Sequence, residues 1–301
     1  MSVYTHVSKQ EAQQIADHYG LGDVENLQPI KAGVTNTNYF LTTNESWVLT
    51  IFEGNSEAEV APVLALQQRM YEHLIPVPRI AANHHTPIHY LHGKPLAVVV
   101  KLAGEHGIRC QAHVEEVGRF LARLHILSAP DQGLADQQLL GQLPRIHFPI
   151  AWVVNHVPDV SVQGVINRCS AQIASQPLPT GVVHGDLFPD NALFSDNQLT
   201  GVIDWYFACV DRLVWDLAVA CVAWAQADVD LEQCLLAAYQ SVRPLSAAEK
   251  RCWPAIKVLA ATRFWVTRAQ AEQAPDTEMV TKKSADDMFA LVKHYIAQLE
   301  G

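Results

Sequence analysis

The chain is patterned in two different ways along its length, and this contrast most constrains its fold. Residues 39–43 and 47–52 are short runs rich in β-branched and aromatic side chains, and they flank Asn44-Glu45-Ser46. This arrangement predicts a β-hairpin. Between residues 112 and 127, apolar side chains instead recur at three- and four-residue steps, which predicts an amphipathic helix. The first hundred residues therefore predict strands, and the remainder predicts mainly helices.

A polar hairpin interrupts the helical part. Residues 192–194 and 199–203 are strand-like and flank Asp196-Asn197, a second hairpin signal. We predict an α+β protein with two lobes: a small β-rich lobe at residues 1–101 and a larger, mainly helical lobe at residues 102–301. A cleft between two such lobes is a common place for a ligand to bind.

The charge balance bears on the possible partners. The chain has 31 acidic and 21 basic residues, a net charge of -10, which disfavours binding to nucleic acid or to an anionic membrane surface. Its longest apolar run, Leu217 to Ala225, is far shorter than the roughly 20 residues of a membrane span and predicts a buried helix. The first residues lack a signal-peptide core, so we expect a cytoplasmic protein. The sequence leaves the oligomeric state open.

The polar turn of the helical part contains the strongest chemical signal. Asp186 and Asn191 lie five residues apart in His184-Gly185-Asp186-Leu187-Phe188-Pro189-Asp190-Asn191, and Asp204 follows the next predicted strand. Phosphoryl transfer needs a carboxylate near the attacking hydroxyl and oxygen ligands for Mg²⁺ on the nucleotide phosphates. Two aspartates and an asparagine at this spacing meet that need. The alternative is an ordinary Asx turn without catalytic function.

With this motif the chain resembles the aminoglycoside phosphotransferase and choline kinase superfamily, and within it the bacterial homoserine kinases. The resemblance implies a two-lobed protein-kinase-like fold. It spans nearly the whole chain, since the matching segments occur in the expected order. They are residues 33–40, 48–53, 184–191, 203–209, 239–245 and 263–268.

The resemblance also implies roles for the motif residues. Asp186 would be the catalytic base, and Asn191 and Asp204 would hold Mg²⁺. The implied reaction is phosphorylation of the L-homoserine hydroxyl by MgATP, giving O-phospho-L-homoserine for threonine biosynthesis. Two alternatives remain open: a kinase of another amino alcohol, such as choline, ethanolamine or an aminoglycoside, and an inactive nucleotide-binding scaffold.

The nucleotide would contact two segments of the small lobe. Gly33, Thr35 and Asn36 lie in a stretch that resembles the family's phosphate-covering loop, although such a stretch also forms plain turns. Backbone groups of Val100 and Leu102 would hydrogen-bond the adenine edge. This segment also reads as a simple interdomain link.

One residue departs from the wider superfamily. Kinase-like proteins usually place a lysine on the strand after the glycine loop, whereas this chain has Thr50 there. The homoserine kinases resemble it in this respect. Lys31 or Lys94 would then be the candidates for neutralising the nucleotide phosphates, and the sequence does not choose between them.

The acceptor site needs a cation, because homoserine carries a carboxylate beside its ammonium group. Arg263 and Arg268 are the candidates, and Tyr206 would line the pocket. The two arginines lie about 500° apart around a helix, so at most one would face the pocket. His184 and Asp216 would support the catalytic loop, Asp216 as an N-cap.

Overall fold

The computed structural model describes residues 5–30, 36–82, 86–129, 132, 134, 136–143, 149–273 and 284–300. Within these residues the chain divides into two compact units, which separate between Ala103 and Gly104. The first unit is built on a β-sheet, and the second is mainly helical. This arrangement confirms the predicted α+β class.

The first unit contains, within its described residues, a five-stranded antiparallel sheet. Its strands are β1 (Asn26–Ile30), β2 (Thr37–Thr42), β3 (Ser46–Ile51), β4 (His89–Leu91) and β5 (Lys94–Val100). They lie in the order β1-β2-β3-β5-β4. The predicted hairpin is the β2-β3 pair, in which Thr42 lies opposite Ser46. Burial alternates along β2, as expected for a strand with one face on the core.

Two helices, α1 (Lys9–Tyr19) and α2 (Glu57–Glu72), accompany this sheet. The sequence also predicts a helix at about residues 58–73, which agrees with α2 within one residue at each end, whereas α1 and strand β1 were not predicted. A capping box begins α1: Glu11 N–H donates to Ser8 Oγ, and Ser8 N–H donates to the Glu11 carboxylate. The apolar face of α1 includes two alanines, so its periodicity is weak in the sequence.

The second unit is mainly helical. Its helices are α3 (Gln111–Leu127), α4 (Gln137–Gln142), α5 (Ile150–Asn155), α6 (Gln163–Ala174), α7 (Leu213–Ala220), α8 (Val229–Gln240), α9 (Ala247–Gln273) and α10 (Ala285–Glu300). The predicted helix at residues 112–127 is confirmed as α3. None of the helices in the described ranges is long and apolar enough to cross a membrane.

Short strands of the second unit frame its polar loops. They are β6 (Glu105–His106), β7 (Thr180–Val183), β8 (Ala192–Ser195), β9 (Gln198–Val202) and β10 (Cys209–Arg212). The β8-β9 pair is the predicted polar hairpin, with β6 on its other side, and β7 pairs with β10. The prediction missed β6 and β10, since two and four residues are too few to show a period.

The longest apolar run differs in detail from the prediction. In the sequence the helical pattern resumes at Trp215, ahead of the apolar run, but in the structure α7 begins at Leu213. The helix then continues beyond Ala220 as a π-helix, Cys221–Ala225. The whole of this segment is buried, as predicted. Single π-turns inside helices often occur at functional sites.

Candidate active site

The loop between β7 and β8, residues 184–191, contains the predicted catalytic motif, and we name it the catalytic loop after that prediction. It leaves β7 at Val183 and enters β8 through a short 3₁₀ helix, Pro189–Asn191. Gly185 adopts a φ of +76°, and a Cβ there would lie 3.1 Å from the Phe207 carbonyl oxygen. Only glycine meets both requirements at low cost, so the loop can turn sharply directly before Asp186.

Asn191 connects the two ends of this loop. Its side-chain Nδ2 donates a hydrogen bond to the Asp186 carbonyl at 2.8 Å and lies 3.4 Å from the Asp186 carboxylate. Its own carbonyl accepts the Ile203 N–H at 3.0 Å, directly before Asp204. With Nδ2 turned towards Asp186, the Asn191 side chain has Oδ1 left as an acceptor. The fold therefore brings Asp186, Asn191 and the backbone before Asp204 together.

Asp204 occupies an unusual backbone position at the end of the hairpin. Its φ of 62° and ψ of 56° are left-handed, a conformation that a non-glycine residue adopts at a cost and that is frequent at functional sites. Asp204 keeps exposed surface, but many protein atoms surround its carboxylate and displace part of the water around it. Desolvation, with the nearby charge of Asp190, raises the pKa of Asp204 to about 6. A divalent cation would relieve this repulsion between carboxylates.

Asp216 holds the start of the catalytic loop. Its carboxylate accepts the His184 N–H at 2.9 Å and the Gly185 N–H at 2.8 Å. Burial alone would raise the pKa of Asp216, but the hydrogen bond and charge of His125, with its other partners, lower it. The predicted N-cap role is wrong: α7 begins three residues earlier, at Leu213, so Asp216 lies inside the first turn and faces the loop instead.

His184 is fully buried beneath the loop. Its Nδ1 accepts the Asp186 N–H at 3.2 Å, and its Nε2 donates to the Ile203 carbonyl at 3.0 Å. A ring that accepts at one nitrogen and donates at the other is neutral. Burial lowers the pKa of His184, which keeps it neutral. The histidine thus links the residue before Asp204 to Asp186.

A buried chain of polar groups continues behind Asp216, and the sequence did not reveal it. His125 contacts the Asp216 carboxylate at 3.2 Å and the Tyr239 hydroxyl at 2.7 Å. The Tyr239 hydroxyl also accepts from Arg243, which pairs with Glu249. His125 lies on the apolar face of α3, where the sequence pattern favours a core histidine without function. Its partners are more than 90 residues away, so no local signal could identify the chain.

The two candidate arginines, Arg263 and Arg268, have different burial and different hydrogen-bond partners. Arg263 is buried, and its guanidinium donates to the Gly185 carbonyl, so it braces the catalytic loop. Arg268 is half-buried and donates to the Ser284 carbonyl at 3.2 Å. Burial lowers its pKa, and the charges of three aspartates oppose that change. As the helical spacing predicts, the two guanidinium groups have different surroundings.

A cavity of about 390 Å³ opens in the second unit beside the catalytic loop. Phe188 and Pro189 of the loop form part of its wall. The polar and charged residues that line it are His106, Arg109, Asp190, Gln226, Arg268 and Asp287. Arg268 therefore lines a cavity, whereas Arg263 and Tyr206 are not among the described lining residues. Both charge signs are present, which suits a ligand that carries both.

The predicted nucleotide contacts lie in the first unit. Gly33 and Thr35 fall outside the described residues. The Asn36 side-chain Oδ1 lies 3.4 Å from the Glu53 N–H. The Val100 N–H already donates to the Arg79 carbonyl, so it is not available to a nucleotide. Within the described residues, the Leu102 backbone makes no hydrogen bond, which leaves it able to receive one.

Thr50, at the position that usually holds a lysine, is uncharged, and its hydroxyl already has a hydrogen-bond partner. The Thr50 hydroxyl donates to Asn38 Oδ1 at 2.8 Å. Lys94 forms an ion pair with Glu53 and donates to the Thr5 hydroxyl at 2.8 Å. The Lys94 charge is therefore already compensated. Lys31, the other candidate, lies outside the described residues.

Comparison with known proteins covers most of the sequence. Residues 26–255 match the model of the phosphotransferase enzyme family. A homoserine kinase of Methylobacillus flagellatus is 36% identical over 316 aligned positions, which cover 100% of this chain and 97% of the relative. A homoserine kinase of Burkholderia ambifaria is 37% identical, with 89% of this chain and 87% of the relative covered.

Solved structures share the fold at lower identity. The amicoumacin kinase hAmiN in complex with AMP-PNP, Ca²⁺ and Ami has a TM-score of 0.73 and 15% identity, and the match covers 96% of this chain and 93% of that one. Identity this low supports the shared fold alone. The predicted kinase-like architecture is thus confirmed independently of the motif.

Proposed function

The chain belongs to the phosphotransferase enzyme family, and on that premise we propose that it transfers the γ-phosphoryl group of ATP to the side-chain hydroxyl of L-homoserine. The product would be O-phospho-L-homoserine, for use in threonine biosynthesis. The acceptor identity is supported by relatives named homoserine kinase that align over almost their whole length. The cavity beside the catalytic loop supports it as well, because it offers charges of both signs.

One contact carries the chemical part of this proposal: Asn191 Nδ2 donates to the Asp186 carbonyl at 2.8 Å. The contact fixes the asparagine against the candidate base, while the Asn191 carbonyl holds the segment that ends at Asp204. A residue pair that only formed an Asx turn would not need the second aspartate. The arrangement supports phosphotransfer more than a structural turn.

Asp186 would act as the base. Its backbone is held on both sides, by the donated Asn191 amide and by the N–H that it gives to His184. The carboxylate, half-exposed at the loop, would orient the acceptor hydroxyl and take its proton as the phosphoryl group arrives. General-base assistance of this kind is typically worth about 10²–10⁴ in rate.

The residues present fit a divalent cation. Asn191 Oδ1 and the Asp204 carboxylate are oxygen donors, the type that Mg²⁺ prefers, and the phosphates of ATP would complete the set. Mg²⁺ held there would neutralise phosphate charge during transfer. Desolvation and the neighbouring charge of Asp190 raise the pKa of Asp204 to about 6, and a bound cation would favour the ionised carboxylate.

The first unit would supply the nucleotide contacts. The Leu102 backbone is the described group best able to hydrogen-bond an adenine edge, and Gly33, Thr35 and Asn36 would cover the phosphates. Thr50 cannot neutralise them, since its hydroxyl is neutral and engaged with Asn38.

The test is a turnover assay with a panel of acceptors. Purified protein with ATP and MgCl₂ should release ADP in the presence of L-homoserine, and ³¹P NMR should show a new phosphomonoester. Choline, ethanolamine and an aminoglycoside should give much lower kcat/KM values. If one of these compounds is turned over faster than homoserine, that compound and not homoserine is the acceptor. No turnover with any acceptor would support an inactive scaffold.

The metal requirement has its own test. EDTA should abolish turnover and added MgCl₂ should restore it. In Asn191→Ala and Asp204→Asn variants, half-maximal activity should need a much higher Mg²⁺ concentration. Asp196→Asn, in the turn of the same hairpin, is the matched control and should keep the wild-type Mg²⁺ dependence.

A further inference from the structure

The cavity beside the catalytic loop is lined by two cations and two anions. Arg109 and Arg268 contribute the positive charges, and Asp190 and Asp287 contribute the negative ones. All four side chains belong to the second unit, so the cavity depends on one compact body. A cavity with equal numbers of positive and negative side chains favours a ligand whose own charges sum to zero.

The two arginines have unlike surroundings. The Arg268 guanidinium is half-buried, donates to the Ser284 carbonyl, and experiences the negative charges of Asp287 and Asp190. Arg109 is exposed, and within the described residues no hydrogen bond or ion pair involves its side chain. Arg268 is therefore already balanced by aspartates, whereas Arg109 has its full charge available.

The charge of Asp186 also acts on Arg268. The candidate base therefore lies within electrostatic range of this end of the cavity. Three aspartates act on Arg268, so negative charge outnumbers positive charge around it, and an ammonium group near Asp190 and Asp287 would be attracted there. The carboxylate of the same ligand would be attracted to Arg109, which also lines the cavity.

The remaining wall has a strained backbone. Gln226, which directly follows the π-helix, adopts a φ of 55° and a ψ of -115°, a costly conformation for a residue other than glycine. Its carbonyl accepts the Tyr295 hydroxyl, and this contact holds the turn in place. In the same π-helix, Trp224 Nε1 donates to the Leu187 carbonyl of the catalytic loop at 2.9 Å. Strain that is held in place beside a cavity is typical of a site shaped for a ligand.

We propose that this cavity is the amino-acid subsite of the enzyme, with Arg109 binding the acceptor's carboxylate and Asp287, together with Asp190, binding its ammonium group. The inference rests on the proposed function and adds the residues that select an amino acid over a simple amino alcohol. The ligand class is a small zwitterion whose side-chain hydroxyl faces Asp186. Sequence reasoning did not identify Arg109 or Asp287, because neither lies near the catalytic motif in the chain.

Three acceptors distinguish the proposed carboxylate contact from the proposed ammonium contact. L-homoserine has both charged groups, 3-aminopropan-1-ol lacks the carboxylate, and 4-hydroxybutanoate lacks the ammonium. The variants are Arg109→Gln and Asp287→Asn. Their matched controls are Arg123→Gln, exposed on α3, and Asp286→Asn, exposed beside Asp287 and not among the described lining residues.

Arg109→Gln should raise the KM for homoserine about 10- to 100-fold, the usual value of a charge-assisted hydrogen bond, and leave that for 3-aminopropan-1-ol unchanged. Asp287→Asn should raise the KM for both amines and leave that for 4-hydroxybutanoate unchanged. The controls should match the wild type. Thermal unfolding of each variant checks that the fold is intact, as expected for exposed side chains.

The possible failures are distinguishable. If the wild type phosphorylates homoserine but Arg109→Gln leaves its KM unchanged, the subsite assignment is wrong and the proposed function stands. The same holds if Arg268→Gln, and not Arg109→Gln, removes the preference for homoserine over 3-aminopropan-1-ol. If the wild type phosphorylates none of the three acceptors, the proposed function fails and the inference fails with it.

Discussion

The carboxylate of Asp216 accepts the backbone N–H of Gly185 at 2.8 Å, across 31 residues of sequence. A second oxygen of the same carboxylate accepts the N–H of His184. One buried side chain thus satisfies two consecutive backbone donors at the start of the catalytic loop. The loop is positioned by a fully buried helix residue, and its geometry depends on that residue's charge.

Asp216→Asn should weaken both the fold and the reaction. The amide can accept only at its oxygen, so one buried N–H would face an NH₂ group, and the contact between the carboxylate and His125 would be lost. We expect the free energy of unfolding to fall by about 3 kcal/mol, together with a lower kcat. Urea unfolding and steady-state kinetics measure the two effects.

The matched control for this prediction is Asp228→Asn. Asp228 also accepts two backbone N–H groups, those of Asp230 and Leu231, but at the exposed start of α8. Asparagine is about as good an N-cap as aspartate, so stability should change by less than about 0.5 kcal/mol. Equal losses in the two variants would show that burial of Asp216 is not what makes it important.

Asp186→Asn should remove the proposed base while leaving the loop intact. Asparagine keeps the backbone carbonyl and N–H that hydrogen-bond Asn191 and His184, while the 3.4 Å contact between the carboxylate and Asn191 Nδ2 loses its charge. We expect kcat to fall about 10²- to 10⁴-fold, with little change in the KM for ATP or in the unfolding midpoint. A kcat within twofold of the wild type would contradict the assigned role.

Gly107→Ala should disturb the wall that joins the cavity to the loop. An added Cβ would lie 2.3 Å from the Trp224 ring, whose Nε1 bonds the Leu187 carbonyl. Overpacking of this kind costs about 1–3 kcal/mol, and displacement of Trp224 should also lower kcat. Chemical unfolding and turnover measure both.

Gly54→Ala provides the comparison for Gly107→Ala. Nothing lies within 4 Å of a Cβ at Gly54, and its φ is not in the left-handed range. This substitution should therefore leave stability and turnover close to the wild type. Similar losses at both glycines would indicate a general effect of removing glycine, and the contact with Trp224 would not explain it.

The sequence was sufficient to predict the parts of the site that follow one another along the chain. The spacing of Asp186 and Asn191 on one turn and the arrival of Asp204 after the next strand are local features. The β8-β9 pairing brings Asn191 and the backbone directly before Asp204 together. The Asp-x-x-x-x-Asn pattern works because one 3₁₀ turn is enough to return the asparagine to the carbonyl of Asp186.

The parts that could not be predicted depend on long-range contacts. Of the two roles assigned to Asp216, only that of N-cap is wrong, because α7 begins three residues before it; its hydrogen bonds to His184 and Gly185 agree with the predicted loop support. Arg263 was a candidate ligand, and only the contact with Gly185, 78 residues away, shows its bracing role. Arg109 and Asp287 meet at one cavity from opposite ends of the second unit, and no local pattern connects them.

His113 should make the stability of the protein depend on pH. Its ring stacks on Phe194 with centroids 3.7 Å apart, and its Nδ1 accepts the Ile108 N–H at 3.1 Å. Burial lowers the pKa of His113 in the folded protein below the ordinary value of 6.5. A proton on Nδ1 would also break the bond from Ile108. The unfolded chain therefore binds a proton at this residue at a higher pH than the folded protein does.

The direction in which stability changes with pH follows from this difference in proton binding between the folded and unfolded states. Below about pH 6.5 the unfolded state binds more protons at His113, so stability should fall as pH falls, by at most about 1.4 kcal/mol per pH unit for one site. His113→Asn keeps an acceptor for Ile108 but cannot titrate, so its stability should fall less steeply between pH 6.5 and 5. Urea unfolding at pH 7.5, 6.5 and 5.5 gives the free energy of unfolding of wild type and variant as a function of pH. At pH 7.5 the ring is neutral in both the folded and the unfolded state, so the difference in stability between the two proteins there measures the loss of stacking. Parallel curves for wild type and variant would rule out a contribution from His113.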